Sequence, residues 1–231
     1  MVQQWRRDMD KRHVTIAAIF LTALLLTTGC PRQNPDIDYR GTVSTPFDIQ
    51  KAQLLEKLDK KWESPDTHFQ LGQLYHAQGI WEKAEYHYNI ALGFDPVHRD
   101  AQAATVKVLA DSGDRTKSQI TADLYISQAS STAGSLLGLG LGFQRQQLDQ
   151  YALQCYNKAL SMAPNSATVN RQMGYFYLSR KDNARAKEFL TRSFQLNPNQ
   201  PDVANELGRL GVEVRIPGSR TNEKDLNKIV N

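Results

Sequence analysis

Few residue types in this sequence could do chemistry. It has two cysteines, Cys30 and Cys155, five histidines, and a glycine-rich run, Gly138-Leu-Gly140-Leu-Gly142. A thiolate can attack, bind metal or pair in a disulfide, but two cysteines cannot build a disulfide framework. No CxxC or Cys/His spacing of a metal site surrounds them. A Cys30–Cys155 bridge stays open on numbers alone. Cys155 lies in "YALQCYNKAL", a helical pattern in which a small sulfur residue packs well. The histidines, His13, His68, His76, His87 and His98, form no HExxH pair, and no acidic run joins His76 to His87. They read as histidines on helix surfaces, solvated or packed. No GxSxG elbow or Walker loop occurs. The glycine run superficially suggests a phosphate loop, but no strand precedes it and its periodicity is helical. Gly134, Gly138 and Gly142 share an i, i+4, i+8 stripe. A glycine costs a helix about 0.8–1 kcal/mol relative to alanine, so the stripe calls for a closely lying second helix, from this chain or from a partner. The reading is no enzyme, no cofactor and no metal site.

The surroundings of Cys30 say more than its thiol. Polar, basic residues 1–13 precede an uncharged run, Val14 to Leu26, "VTIAAIFLTALLL". That order describes a secretory signal, and the run is short for a spanning helix, which needs about 20 residues. The whole chain carries 28 basic and 24 acidic residues. Removing the leader takes Arg6, Arg7, Lys11 and Arg12 with Asp8 and Asp10. The remainder is nearly neutral, which argues against nucleic acid as a partner. Thr27-Thr28-Gly29-Cys30 resembles the lipobox of bacterial lipoproteins, with Thr27 where that family has Leu. The resemblance implies lipidation of Cys30, anchoring in a membrane, and, because Pro31 rather than Asp follows, an outer-membrane protein facing the periplasm. An uncleaved signal anchor or an ordinary secreted protein are the alternatives. "PRQNPDIDYRGTVST" then reads as a tether.

A repeat dominates the rest. "LGQLYHAQGIWEKAEYHYNIALGFDP" carries Leu71, Gly72, Tyr75, Gly79, Ala84, Tyr88, Ala91 and Pro96. The same frame returns as Leu139, Gly140, Phe143, Gln147, Ala152, Tyr156, Ala159 and Pro164, and again as Met173, Gly174, Tyr177, Lys181, Ala186, Leu190, Ser193 and Pro198. The pattern resembles the tetratricopeptide repeat, a helical hairpin of 34 residues. Its small residues sit where two helices cross, and its proline ends the second helix. Between the first two frames, residues 99–132 make a degenerate one. There Val106 replaces Gly, Tyr125 replaces the second Ala and Ser130 replaces Pro, while Gly113 keeps the turn. A looser crossing is expected, with Val106 holding the helices apart.

The expected chain is therefore all-α, an α-solenoid of stacked hairpins with flanking helices. Residues 1–29 are the signal and 30–45 the tether. Residues 46–64 form an N-terminal packing helix with Ile49, Leu54, Leu55, Leu58 and Trp62 on one side. Residues 65–200 are four frames, and 201–231 a solvated capping helix with a polar tail. Family resemblance implies that partners bind the first helix of each unit along a concave wall. Carried over position by position, the candidates are Phe69, Gln73, His76, Lys107, Gln144, Arg145, Arg171, Tyr175 and Ser179. The paired basic residues of chaperone-binding members are not reproduced. The implied function is an envelope scaffold binding other proteins or peptides, such as one assisting pilus or secretion assembly. An adaptor for peptidoglycan-remodelling enzymes, or an enzyme or ligand-binding protein with a site between repeats, are the alternatives.

Overall fold

The computed structural model describes residues 45–214, which contain ten helices and, among the described residues, no strand. Cys30, the apolar leader, the tether as far as Ser44 and the tail from Arg215 lie outside the described residues. An N-terminal helix, α1 (Pro46–Lys60), precedes four hairpins. These are α2 (Pro65–Ala77) with α3 (Trp81–Phe94), α4 (Arg99–Asp111) with α5 (Arg115–Ala129), α6 (Ala133–Arg145) with α7 (Asp149–Met162), and α8 (Ala167–Ser179) with α9 (Asn183–Leu196). A single helix, α10 (Pro201–Arg209), closes the array. No described helix is long and apolar enough to cross a membrane.

Local sequence sets each boundary. The side chains of Ser64, His98, Thr132 and Ser166 accept hydrogen bonds from backbone N–H groups in the opening turns of α2, α4, α6 and α8. These caps satisfy donors that a helix start leaves unpaired. Within every hairpin the turn passes through the left-handed region at one register position: Gly79 (φ 70°), Gly113 (φ 98°), Gln147 (φ 60°) and Lys181 (φ 58°). Two units therefore hold a side chain where glycine is the unstrained residue.

Glycine sets the helix crossing in three units. A Cβ on Gly72 would lie 2.5 Å from the Tyr88 ring, one on Gly140 2.5 Å from the Tyr156 ring, and one on Gly174 2.5 Å from Leu190. Each second helix thus inserts a large side chain into a hole only glycine leaves. In the degenerate unit the sizes are exchanged: buried Val106 stands on the first helix, and buried Ala122 at the register position of Tyr88 and Tyr156. Ser118 Oγ donates to the Val106 carbonyl oxygen at 2.8 Å, tying the two helices through polar atoms. As expected, α4 and α5 pack less intimately than the paired helices of the other units. Instead α4 leans on α6. A Cβ on Gly142 would lie 2.9 Å from the Arg99 carbonyl oxygen and 3.2 Å from Ala103 Cβ, and one on Gly138 3.5 Å from Arg99 Cγ. Two of the three stripe glycines therefore serve an internal contact, while beside Gly134 only the Thr132 hydroxyl of its own cap comes within 4 Å.

Two expectations need correction. On α1 the buried residues are Leu54 and Leu58, with Phe47 packed beside them, whereas Ile49, Leu55 and Trp62 are exposed. At 100° per residue, Ile49 and Leu55 lie off the 47–54–58 stripe, and Trp62 falls in the link after the helix ends. Two histidines of the first unit are also not surface groups: His68 is fully buried and His87 nearly so. His68 Nε2 donates to the Trp62 carbonyl oxygen at 3.0 Å, which leaves its Nδ1 to accept from His87 Nδ1 at 3.2 Å. The flanking rings are Phe94 on His68 and Tyr75 on His87, both stacked. Burial, the adjacent His68 and Lys83 hold His87 down at about 4, and burial lowers His68 in the same direction.

Candidate functional site

The first helices of successive units come together, α2 with α4, α4 with α6 and α6 with α8. They make one wall, and the polar side chains on it are joined in a chain of contacts. Between units one and two, His76 Nε2 donates to Asp111 Oδ2 at 3.0 Å, while its Nδ1 accepts from Tyr88 Oη at 3.3 Å. Lys107 Nζ reaches the other Asp111 oxygen at 2.5 Å. Burial raises the Asp111 carboxyl, but the Lys107 and His76 hydrogen bonds outweigh it and leave it below the usual carboxylate range. At the other end of these helices His98 Nε2 faces Asp66 at 3.2 Å. Between units two and three, Arg145 grips Asp100 through Nε at 2.9 Å and a terminal nitrogen at 2.5 Å. Between unit four and the closing helix, Tyr175 Oη donates to Asp202 at 2.8 Å and Arg171 lies 3.9 Å from the same carboxylate. Burial first, then that carboxylate, pushes the Tyr175 phenol up.

The remaining candidates have local tasks. Phe69 lies between the rings of Tyr88 and His98, with centroids 5.8 and 4.9 Å away, and contributes mainly packing. Gln144 Oε1 accepts from Tyr156 Oη at 2.8 Å, repeating in unit three the His76–Tyr88 pairing of unit one. Ser179 Oγ donates to the Phe176 carbonyl oxygen in its own turn. Gln73 is exposed and borders a cleft of about 380 Å³ with His76, Ala77, Trp81, Asp111 and Gln146.

The candidate residues are thus brought onto one wall, but four of them, His76, Arg145, Arg171 and Tyr175, are engaged with a neighbouring unit or the closing helix. Reading each residue alone concealed this, and Asp202 was missed altogether. Asp66, Asp100 and Asp202 each stand second in their helix. That recurrence is the signal that would have found it. Chemically the wall offers hydrogen-bonding and ionic groups held in place by rigid helices. Surface pairs of this kind are worth about 0–1 kcal/mol each, so an incoming charged or hydrogen-bonding segment can exchange with them at small cost. Cys155, the candidate for thiol chemistry within this region, is buried and free, and burial pushes its thiol up to about 12. It packs and does not react.

Residues 170–200 match the model of the tetratricopeptide repeat. That segment, α8 with α9, therefore carries a tetratricopeptide repeat. The type IV pilus assembly protein PilF of Pseudomonas aeruginosa is 31% identical over 157 residues, 67% of this chain and 62% of that protein. This chain therefore spans under two thirds of its relative's length. The human protein O-mannosyl-transferase TMTC1 is 24% identical over 145 residues, 60% of this chain and 16% of that protein. The solved structure of Pseudomonas aeruginosa PilF shares 30% identity, with 63% of this chain and 67% of that one covered at a TM-score of 0.36.

Proposed function

We propose that this protein is a lipid-anchored tetratricopeptide scaffold of the bacterial envelope that assists assembly of a pilus or secretion complex. The observation that carries this reading is the likeness to a type IV pilus assembly protein across two thirds of the chain. Cys30, behind its charged and apolar leader, supports the anchor, and three attached chains would hold it firmly where one would not. The wall of first helices is the partner face. Gln73, His76, Lys107, Arg145, Arg171 and Tyr175 give it hydrogen-bond donors and acceptors over several units, and arginine and tyrosine are the residue types that most often dominate protein interfaces. The binding is of proteins or peptides of the envelope, with no chemical turnover.

The test joins anchor and partner. In cells, Cys30→Ser should abolish lipid labelling, leave the leader uncut and impair assembly of surface fibres or secretion. Crosslinked capture with the unaltered protein should recover a pilus or secretin subunit. Normal processing of Cys30→Ser would remove the anchor. Recovery of peptidoglycan hydrolases in place of assembly subunits would replace the assembly role with that of an adaptor.

A further inference from the structure

The second helices of the four units turn the same two register positions outward, and the residues there change character along the array. Unit one has Tyr86 and Ile90 and unit two Ile120 and Leu124, whereas unit three has Gln154 and Lys158 and unit four Glu188 and Arg192. Tyr86, Ile120 and Leu124 are 55%, 64% and 53% exposed, and Ile90 is partly buried. Residues four apart on a helix share a face, so α3 and α5 each carry an apolar row. Phe94, also exposed, extends the row on α3 by one turn. An ion pair between Lys117 and Glu85 at 2.7 Å bridges α5 to α3 and sets the two rows side by side. The core uses other residues of these helices: Ala84, His87, Tyr88 and Ala91 on α3, and Ser118, Ala122, Ile126 and Ala129 on α5. Flanking charges balance, Lys83, Arg115 and Lys117 against Glu82, Glu85 and Asp123. A contiguous exposed apolar patch marks a contact surface, and here apolar contact rather than charge must carry it.

We infer that this face of units one and two lies on a lipid bilayer, with Tyr86, Ile120 and Leu124 dipping into the headgroup boundary. The inference rests on the lipid anchor at Cys30 proposed above, and the length of chain after that residue argues for the occupant. Residues 31–44 separate Cys30 from Thr45, the cap of α1, and α1 packs on unit one. A coil of that length spans about 20 Å. Such a tether holds units one and two beside the bilayer, and these are the units whose outer face is apolar. Units three and four, farther along the chain, have polar residues at the same positions. Tyrosine suits the boundary because its ring is apolar and its hydroxyl stays wet. Lys83 and Lys117 can lay their stems on the apolar surface and keep their charges among the headgroups. The contact is small, but the anchor makes it intramolecular, so a weak affinity is enough. Docked this way, the wall of first helices stays free for a partner.

The test uses the full chain, purified from cells fed labelled palmitate and reconstituted in vesicles of equal parts phosphatidylethanolamine and phosphatidylglycerol. A photoactivatable residue replaces Ile120 or its register equivalent Gln154. Lipid adducts should form from position 120 at least about fivefold more than from position 154, and added salt should change them little because the flanking charges cancel. With the probe at position 86, Ile120→Glu with Leu124→Glu should lower lipid adducts to a similar degree at unchanged helix content and melting. Equal adducts from positions 120 and 154, adducts lost in high salt, or adducts that survive the double change overturn the inference. So does a crosslink from position 120 to a second copy, to another protein or to another segment of the same chain in place of lipid. The palmitate label reads the anchor separately. Label without lipid adducts overturns this face alone, and absence of label overturns the anchor reading whatever position 120 meets.

Discussion

Units two and three of this solenoid have the same length and solve the same packing problem with opposite residues. Unit three crosses its helices at Gly140 and fills the hole with Tyr156. Unit two puts Val106 on the first helix, shrinks its partner to Ala122, and adds the Ser118–Val106 hydrogen bond. The closest approach then moves from within the unit to the next junction, where Gly142 meets Arg99 and Ala103. A repeat array thus needs complementary sizes at each crossing, not one fixed residue, because its stability is a sum over neighbouring contacts.

Breaking the crossings should separate the two units. Gly140→Val drives a Cβ into the Tyr156 ring and to 3.1 Å from Cys155. It should cost about 3 kcal/mol or more by overpacking, seen as a lower urea midpoint. Val106→Gly loses a buried side chain and adds a helical glycine, for about 2–3 kcal/mol. Gly140→Val with Tyr156→Ala recreates the exchange of unit two inside unit three. Its cost should fall at least 1 kcal/mol below the sum of the single changes, and strict additivity would show that size exchange is not what unit two uses.

The paired histidines add an acid-sensitive element to unit one that unit two lacks. His87 is held at about 4 by burial first, then by His68 and Lys83, while an unfolded chain titrates near the ordinary 6.5. The unfolded state therefore binds more protons between these values. Stability is full above about pH 7 and falls as pH drops toward 4, by about 1 kcal/mol at pH 5, counted below the full shift because the ring keeps some solvent contact. Urea midpoints at pH 7 and pH 5 measure it, and His87→Phe should flatten the difference.

How much of this was legible beforehand depended on whether a residue's task lies inside one repeat. Gly72, Gly140, Gly174 and the closing prolines act within a hairpin, so period and composition exposed them. The tetratricopeptide assignment and the looser second unit followed from them. His68 and His87 were misjudged because their burial depends on Trp62, Phe94 and Tyr75 arriving from the link and from both helices of the unit. The ties of His76 to Asp111 and Arg145 to Asp100 span 35 and 45 residues, a separation no single-helix pattern reveals. On α1 the apolar residues exceeded what one face could bury, so composition alone overstated the contact.

Smaller effects sharpen the same contrast. Ser118→Ala should cost unit two about 1 kcal/mol, the value of one buried hydrogen bond. Lys181→Gly should stabilise unit four by up to about 1 kcal/mol, because its φ of 58° suits glycine and a side chain there costs about 1–2 kcal/mol before glycine's own entropy is subtracted. Gly113→Ala in unit two, at φ 98°, should do the reverse. Arg145→Ala should change stability by under about 0.5 kcal/mol, since its partner Asp100 and the pair are solvent-exposed, yet it should weaken partner binding. Each is read from thermal or urea unfolding alongside a binding assay.

The most direct test of the wall as the partner face is site-specific photocrosslinking in cells, from Gln73 on α2 and from Gln154, exposed on α7. A discrete crosslink to an assembly protein of the envelope from Gln73, with none from Gln154, is the predicted result. The same crosslink from Gln154 with none from Gln73 would contradict it and move the interface to the second-helix face.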